Sequence, residues 1–372
     1  MIRIKFNTIL FFLLLPNFLS ANDFILPISF GFGADGDCGF IKDSISSKYF
    51  FQRKIYIYHS VKGEQKKPAI FLCHALGSKK PSYYEHIMEH CASNGYTVVF
   101  VSYRISSFPH QKRTFRKIFN SFEYVVDQFS QYIDTSRIGL VSHSFGGSAT
   151  PYLTLKMIKE KKWGGNGCFM FIMAPSFFLE ISQKELETFP SYVKLLLQVY
   201  EEDDCNDHRI ARDLFLNINI PNSEKDFMVI MSDSSATYSY KLDADHALPF
   251  NSSDPEGEVD GLDYYGIFRY IDALAEYAFT ENLQAKKIAL GNGNKMQRFM
   301  GMWSDNTPVK LCYVSDNPRM FKNINYYHFN WYHPLNFRRK ELEKLLKQSI
   351  KNPFKANYTD KFDNTQNSVI TD

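Results

Sequence analysis

The sequence predicts an α/β fold: a mostly parallel central sheet with helices on both faces, followed by a small C-terminal appendage. Three observations predict it. From residue 69 onward, apolar runs of about five to eight residues alternate with stretches of helical spacing. The runs are near-continuous rather than strictly alternating, as strands buried on both faces are. Gly-, Ser- and Asn-rich segments punctuate the alternation where turns are needed.

Residues 53–60, with Ile and Tyr alternating, predict an antiparallel strand leading into the sheet. Residues 69–73 predict the first parallel strand, followed by the turn-rich 77–82 and a helix reaching 93. Residues 96–102 predict a second strand and 114–132 a helix. Residues 137–142 predict a third strand, entering a helix over 144–159. Residues 168–173, 193–200 and 227–231 predict three more strands, with a helix over 209–215 between the last two. Another helix is expected over 262–279. Residues 286–314 carry Gly-Asn punctuation and short β-type runs, and the segment from Met300 to Asp305 is expected to form a small β appendage. Residues 338–350 read as an amphipathic helix, and the polar residues beyond 350 show no periodicity.

The chain's 43 Lys+Arg stand against 40 Asp+Glu, a balance that excludes a binder driven by contacts to nucleic-acid phosphates. Six cysteines in 372 residues are too few for a disulfide scaffold, and Cys73 and Cys168 fall in apolar runs where they serve as small core residues. No Cys/His spacing suggests a metal and no glycine-rich phosphate loop is present, so no metal or cofactor is expected. Arg3 and Lys5, an apolar run from Ile9 to Leu15 closed by Pro16, and Ser20-Ala21 lay out a secretory signal peptide over residues 1–21. That run is shorter than the roughly 20 apolar residues of a membrane span, and no later segment supplies one. The expected organisation is a signal peptide over 1–21, a catalytic domain over 22–284, an extension packing on it over 285–350, and a disordered tail over 351–372. Export would leave the protein secreted or periplasmic.

At the end of the third strand stands Ser142-His143-Ser144-Phe145-Gly146-Gly147. A serine on a strained strand-to-helix turn needs small residues two positions either side, and Ser142 and Gly146 supply them. This resembles the nucleophile elbow of the α/β-hydrolase superfamily. The likeness covers about residues 40–280 and is strongest to secreted dienelactone-hydrolase-like, cutinase-like and chlorophyllase-like serine esterases. Cys73-His74-Ala75-Leu76-Gly77 looks like the segment that shapes the oxyanion hole in that superfamily, with Ala75 where Gly is commoner. By position the backbone N–H groups of Leu76 and Phe145 would bind the oxyanion, while His74 would hold the loop.

The family's chain order, serine then acid then histidine, directs attention downstream. Past the strand at 193–200 lies Glu201-Glu202-Asp203-Asp204, where Asp204 fits best by its distance from the strand and Asp203 is the alternative. His246 follows the last strand and is expected to be the base. Strand alternation should turn His143 away from the site, and His208 lies too near the acid. His328 and His333 belong to the C-terminal extension. Burial lowers the pKa of His246 and a neighbouring carboxylate raises it; if the two partly cancel, its proton-accepting limb falls between roughly pH 6 and 7.5. Phe177 and Phe178, after the strand that follows the elbow helix, are candidates to line a substrate pocket. The resemblance thus implies a serine carboxylic-ester hydrolase working through an acyl-enzyme on a small-molecule or polymeric ester. An acyltransferase with the same triad, or a non-catalytic secreted binding protein on the same fold, stands as the alternative.

Overall fold

The computed structural model describes residues 24–61, 65–105, 111–251, 257–318, 322 and 324–351. The expected signal peptide and all of the expected tail except Lys351 lie outside the described residues.

Eleven strands are described: β1 (Phe40–Ser46), β2 (Lys54–Ser60), β3 (Lys67–Cys73), β4 (Thr97–Val101), β5 (Ile133–His143), β6 (Cys168–Met173), β7 (Lys194–Tyr200), β8 (Lys225–Ile230), β9 (Asp233–Ser235), β10 (Tyr240–Leu242) and β11 (Tyr313–Ser315). Nine of them form one sheet in the order β1-β2-β4-β3-β5-β6-β7-β8-β11, and β9 and β10 pair separately. The block from β4 to β8 is parallel. β1 and β2 run antiparallel at one edge and β11 antiparallel to β8 at the other. The helices are α1 (Glu85–Ser93), α2 (Lys112–Gln128), α3 (Phe145–Lys161), α4 (Gln183–Leu186), α5 (His208–Asn217), α6 (Gly261–Asp263), α7 (Arg269–Thr280), α8 (Leu283–Ala289), α9 (Lys295–Arg298) and α10 (Phe337–Lys351). No helix among the described residues is long and apolar enough to cross a membrane.

The α/β architecture with a mostly parallel sheet is as the sequence predicts. Successive residues of a strand face opposite sides, so β3 feeds two cores. Ala69 and Phe71 pack with Phe115, Phe122 and Leu153 from α2 and α3. Ile70 and Leu72 pack with Ile87, Met88 and Leu274 from α1 and α7. Cys73 and Cys168 are buried, and all six cysteines are unpaired.

Three elements differ from expectation. β1 was not read from the sequence because its FIKDSIS face is mostly exposed and gives no apolar pattern. The helix expected over 262–279 is broken into α6, a π-helical turn at Tyr264–Phe268, and α7. There the Gln198 side chain on β7 donates to the Gly266 carbonyl at 2.8 Å, and Asp260 caps the entry. The expected β appendage from Met300 to Asp305 is a loop with a single bridge, Met302 to Pro308, which folds Met300 and Trp303 into the core. Its neighbour β11 instead extends the main sheet. Further on, Arg338 of α10 is fully buried in a paired contact with Asp213 on α5, at 2.8 and 3.2 Å. The extension is thereby fastened to the sheet and to α5.

Candidate active site

Ser144 occupies the turn between β5 and α3 with φ 54° and ψ −113°, a conformation that costs a non-glycine residue of order 1–3 kcal/mol. The surroundings hold it there. Its amide donates to the Met173 carbonyl at 2.9 Å, and its own carbonyl accepts from Ser148 and Ser176. A Cβ at Gly146 would fall 2.1 Å from the Cys73 carbonyl oxygen, so the approach of α3 to the end of β3 admits only glycine. Ser142 is small enough to fit on the other side, and its hydroxyl reaches the Phe171 carbonyl at 3.3 Å.

Three side chains from distant parts of the chain meet in a line. The Ser144 hydroxyl lies 3.1 Å from His246 Nε2, and His246 Nδ1 lies 2.9 Å from Asp203 Oδ2. The other Asp203 oxygen accepts the backbone N–H groups of Cys205 and Asn206, at 2.8 and 3.0 Å. The favoured acid, Asp204, is therefore corrected to the alternative, Asp203. After β7 the chain turns at once, with the Asp203 amide bonded to the Tyr200 carbonyl, so the third residue past the strand faces inward. Asp203 is fully buried, whereas the Asp204 side chain is 60% exposed and faces His328.

The electrostatics follow from that pairing. Burial alone would raise the Asp203 pKa, but the charge and hydrogen bond of His246, with His208 and the Asn206 amide, hold it below the usual carboxylate value. Burial opposes a charge on His246, yet the Asp203 charge and hydrogen bond, with a smaller contribution from Cys205, outweigh it and push His246 up to about 10. The expected cancellation does not occur, because Asp203 is itself sealed from water and its field is little screened. His143 also departs from expectation. Its buried ring lies 4.8 Å from the His246 ring, and its Nδ1 is 3.0 Å from the Tyr84 hydroxyl. Burial drives its pKa far down, so it backs His246 as a neutral group.

The loop after β3 is fixed from both sides. His74 holds the Ala75 carbonyl at 2.7 Å, accepts the Tyr103 amide at 3.2 Å, and stacks on the Tyr103 ring at 3.6 Å. Burial lowers its pKa to about 3, which keeps it neutral. The Ala75 amide donates to Tyr84, while Leu76 and Phe145 border the cavity at Ser144. As the first residue of α3, Phe145 has an amide without an intrahelical acceptor, at the positive end of the helix dipole. Such an arrangement can pass the serine proton to His246 and offer backbone donors to a negative oxygen.

The cavity over Ser144 measures about 500 Å³ and is mainly apolar. Phe177, Phe178 and Phe250 line it with three rings. Four other contributors are not signalled by any motif or spacing. Asn206 donates to the Ser144 hydroxyl at 3.2 Å and to the Ala174 carbonyl at 2.9 Å. Phe329, His333 and Leu335 come from the C-terminal extension, and the His333 ring stacks on Phe177 at 4.0 Å. This segment is held to the acid loop by backbone bonds: His328 to Asp204, Phe329 to Cys205, and Asp207 to Phe329. The Asp207 side chain also accepts the Trp331 amide at 2.7 Å. No family model matches the chain, and no curated protein matches it in sequence.

Proposed function

We propose that the protein is a serine carboxylic-ester hydrolase of the α/β-hydrolase type. The observation that carries this reading is the unbroken contact from Asp203 through His246 to Ser144, with the serine held on a strained strand–helix turn. His246 takes the Ser144 proton as Ser144 attacks the ester carbonyl, and the N–H groups of Leu76 and Phe145 receive the oxyanion. His246 then returns the proton to the departing alcohol. Water, activated by the same imidazole, cleaves the acyl-enzyme. Asn206 donates a further hydrogen bond to the serine hydroxyl. The parallel sheet and the chain order Ser144, Asp203, His246 support the fold assignment. The phenylalanine-lined cavity favours an uncharged acyl or aryl group. Acyl transfer would use the same groups and is recognised by a transacylated product when a second alcohol is supplied. Residues 1–21 support export of the protein.

The test is turnover of para-nitrophenyl esters of increasing chain length by the wild-type protein and by Ser144→Ala. The variant should fold normally and lose about 10³-fold or more of kcat/KM. Near-normal turnover by the folded variant would end the assignment.

A further inference from the structure

A second cavity, about 360 Å³, lies on the other side of the loop after β3 and shares Ala75 and Leu76 with the cavity over Ser144. Arg53, Lys79 and Arg104 line it. A third hollow of about 260 Å³ continues from it, again bordered by Arg53 and Arg104 and joined by Lys117. Among the described residues no carboxylate lines either one. None of these four cations is ion-paired with a described carboxylate.

Some cations elsewhere are held in ion pairs, such as Lys42 with Glu85 and Glu89, Lys194 and Lys286 with Glu224, and Arg338 with Asp213. With a net charge of only +3, the gathering of four cations around these adjoining hollows is a local concentration of positive charge. The fold builds the trough. Antiparallel β2 and β4 pair Ile55 with Val101, and the Ser102 amide bonds the Lys54 carbonyl, so Arg53 is brought beside Tyr103 and Arg104. The field of Arg53 reaches His74, where it helps to lower the imidazole pKa.

We propose that this trough is a subsite for an anionic group, a phosphate or a carboxylate, on the arm of the ester that lies outside the apolar cavity. The subsite rests on the esterase reading for its link to turnover, but its anion binding does not. Guanidinium groups bind such anions with paired, charge-assisted hydrogen bonds, and a concave site strengthens them over an open surface. An ester whose carbonyl meets Ser144 has one arm in the phenylalanine-lined cavity. The other arm passes Leu76, toward the side where Arg53, Lys79 and Arg104 converge.

Two measurements test the subsite. The first is calorimetric titration of the wild-type protein and the Arg53→Gln/Arg104→Gln variant with inorganic phosphate, and separately with acetate, at low ionic strength. The wild type should bind at least one of them saturably, and the variant at least tenfold more weakly. The second compares kcat/KM for three butyrate esters, of propanol, of 3-hydroxypropanoate and of 2-hydroxyethyl phosphate. At least one anionic ester should be preferred about tenfold or more over the propyl ester, with carboxylate and phosphate ranked by the result. The preference should shrink from 50 to 500 mM salt as charges are screened and vanish in the variant, with propyl butyrate turnover held within twofold. Saturable binding lost in the variant, with no ester hydrolysed, would keep the subsite and overturn the esterase reading. Hydrolysis with no anion binding and equal rates for all three esters would overturn the subsite alone. Should the double variant fail to fold, Lys79→Gln and Arg104→Gln singly must each weaken binding, and unchanged binding in both would also overturn it.

Discussion

Asp203 and Asp204 are neighbours in sequence with opposite surroundings. Asp203 is sealed from water and accepts three hydrogen bonds, while Asp204 stands in solvent. On the proposed mechanism Asp203→Asn should cost about 10³- to 10⁴-fold in kcat by disturbing the imidazole tautomer, whereas Asp204→Asn should stay within about threefold. The reverse ranking in a steady-state assay would contradict the pairing. The same carboxylate sets the pH dependence. Only neutral His246 can accept the serine proton, and Asp203 raises its pKa from the ordinary value near 6.5 to about 10. The rising limb of kcat/KM for a neutral ester should therefore lie on the alkaline side, still climbing above pH 8. In Asp203→Asn the largest cause of the upward shift is gone and the smaller contribution of Cys205 remains, so the limb should move to lower pH at a much reduced rate. A wild-type limb centred near pH 6.5 would mean that the Asp203 charge does not govern His246.

The C-terminal segment is the element that most changes the picture of the pocket. Phe329 runs beside the acid loop in a parallel bridge with Asn206, and it carries His333 and Leu335 over the cavity. Phe329→Ala should open the cavity and move the preferred acyl chain longer by about two carbons, each methylene being worth about 0.8 kcal/mol when buried. A panel of esters from acetate to decanoate reads this directly, and an unchanged optimum would show that the segment only covers the cavity. Much of the site could be read from the sequence because its signals are local. Ser144 sits in a strand–Ser–helix pattern with Gly146 behind it, and His74 in a short loop after an apolar strand. His246 follows from chain order. The choice of Asp203 over Asp204 depended on a turn directly after β7, which neither aspartate's identity reveals. Asn206, Phe329 and His333 were not legible, because their roles arise from contacts between segments far apart in sequence and leave no spacing to read. β1 was missed for a different reason: an exposed edge strand need not show apolar alternation.

For the whole molecule, the parallel sheet explains why these residues converge at one end. β3, β5 and β7 point the same way, so the loop at Ala75–Leu76, the turn at Ser144 and the acid loop at Asp203 all emerge along one edge, and the chain after β8 returns His246 to it. The C-terminal extension, pinned by β11 and by Arg338, lines the cavity with Phe329, His333 and Leu335. On the proposed mechanism this convergence makes Ser144 a nucleophile. Reaction of the folded protein with a fluorophosphonate, followed by intact mass and peptide mapping, tests it most directly. One phosphonyl group should attach to each chain on the peptide that contains Ser144, and Ser144→Ala and His246→Gln should remain unlabelled under the same conditions. A wild-type protein that stays unmodified, or a label on another residue with Ser144 untouched, would contradict the account.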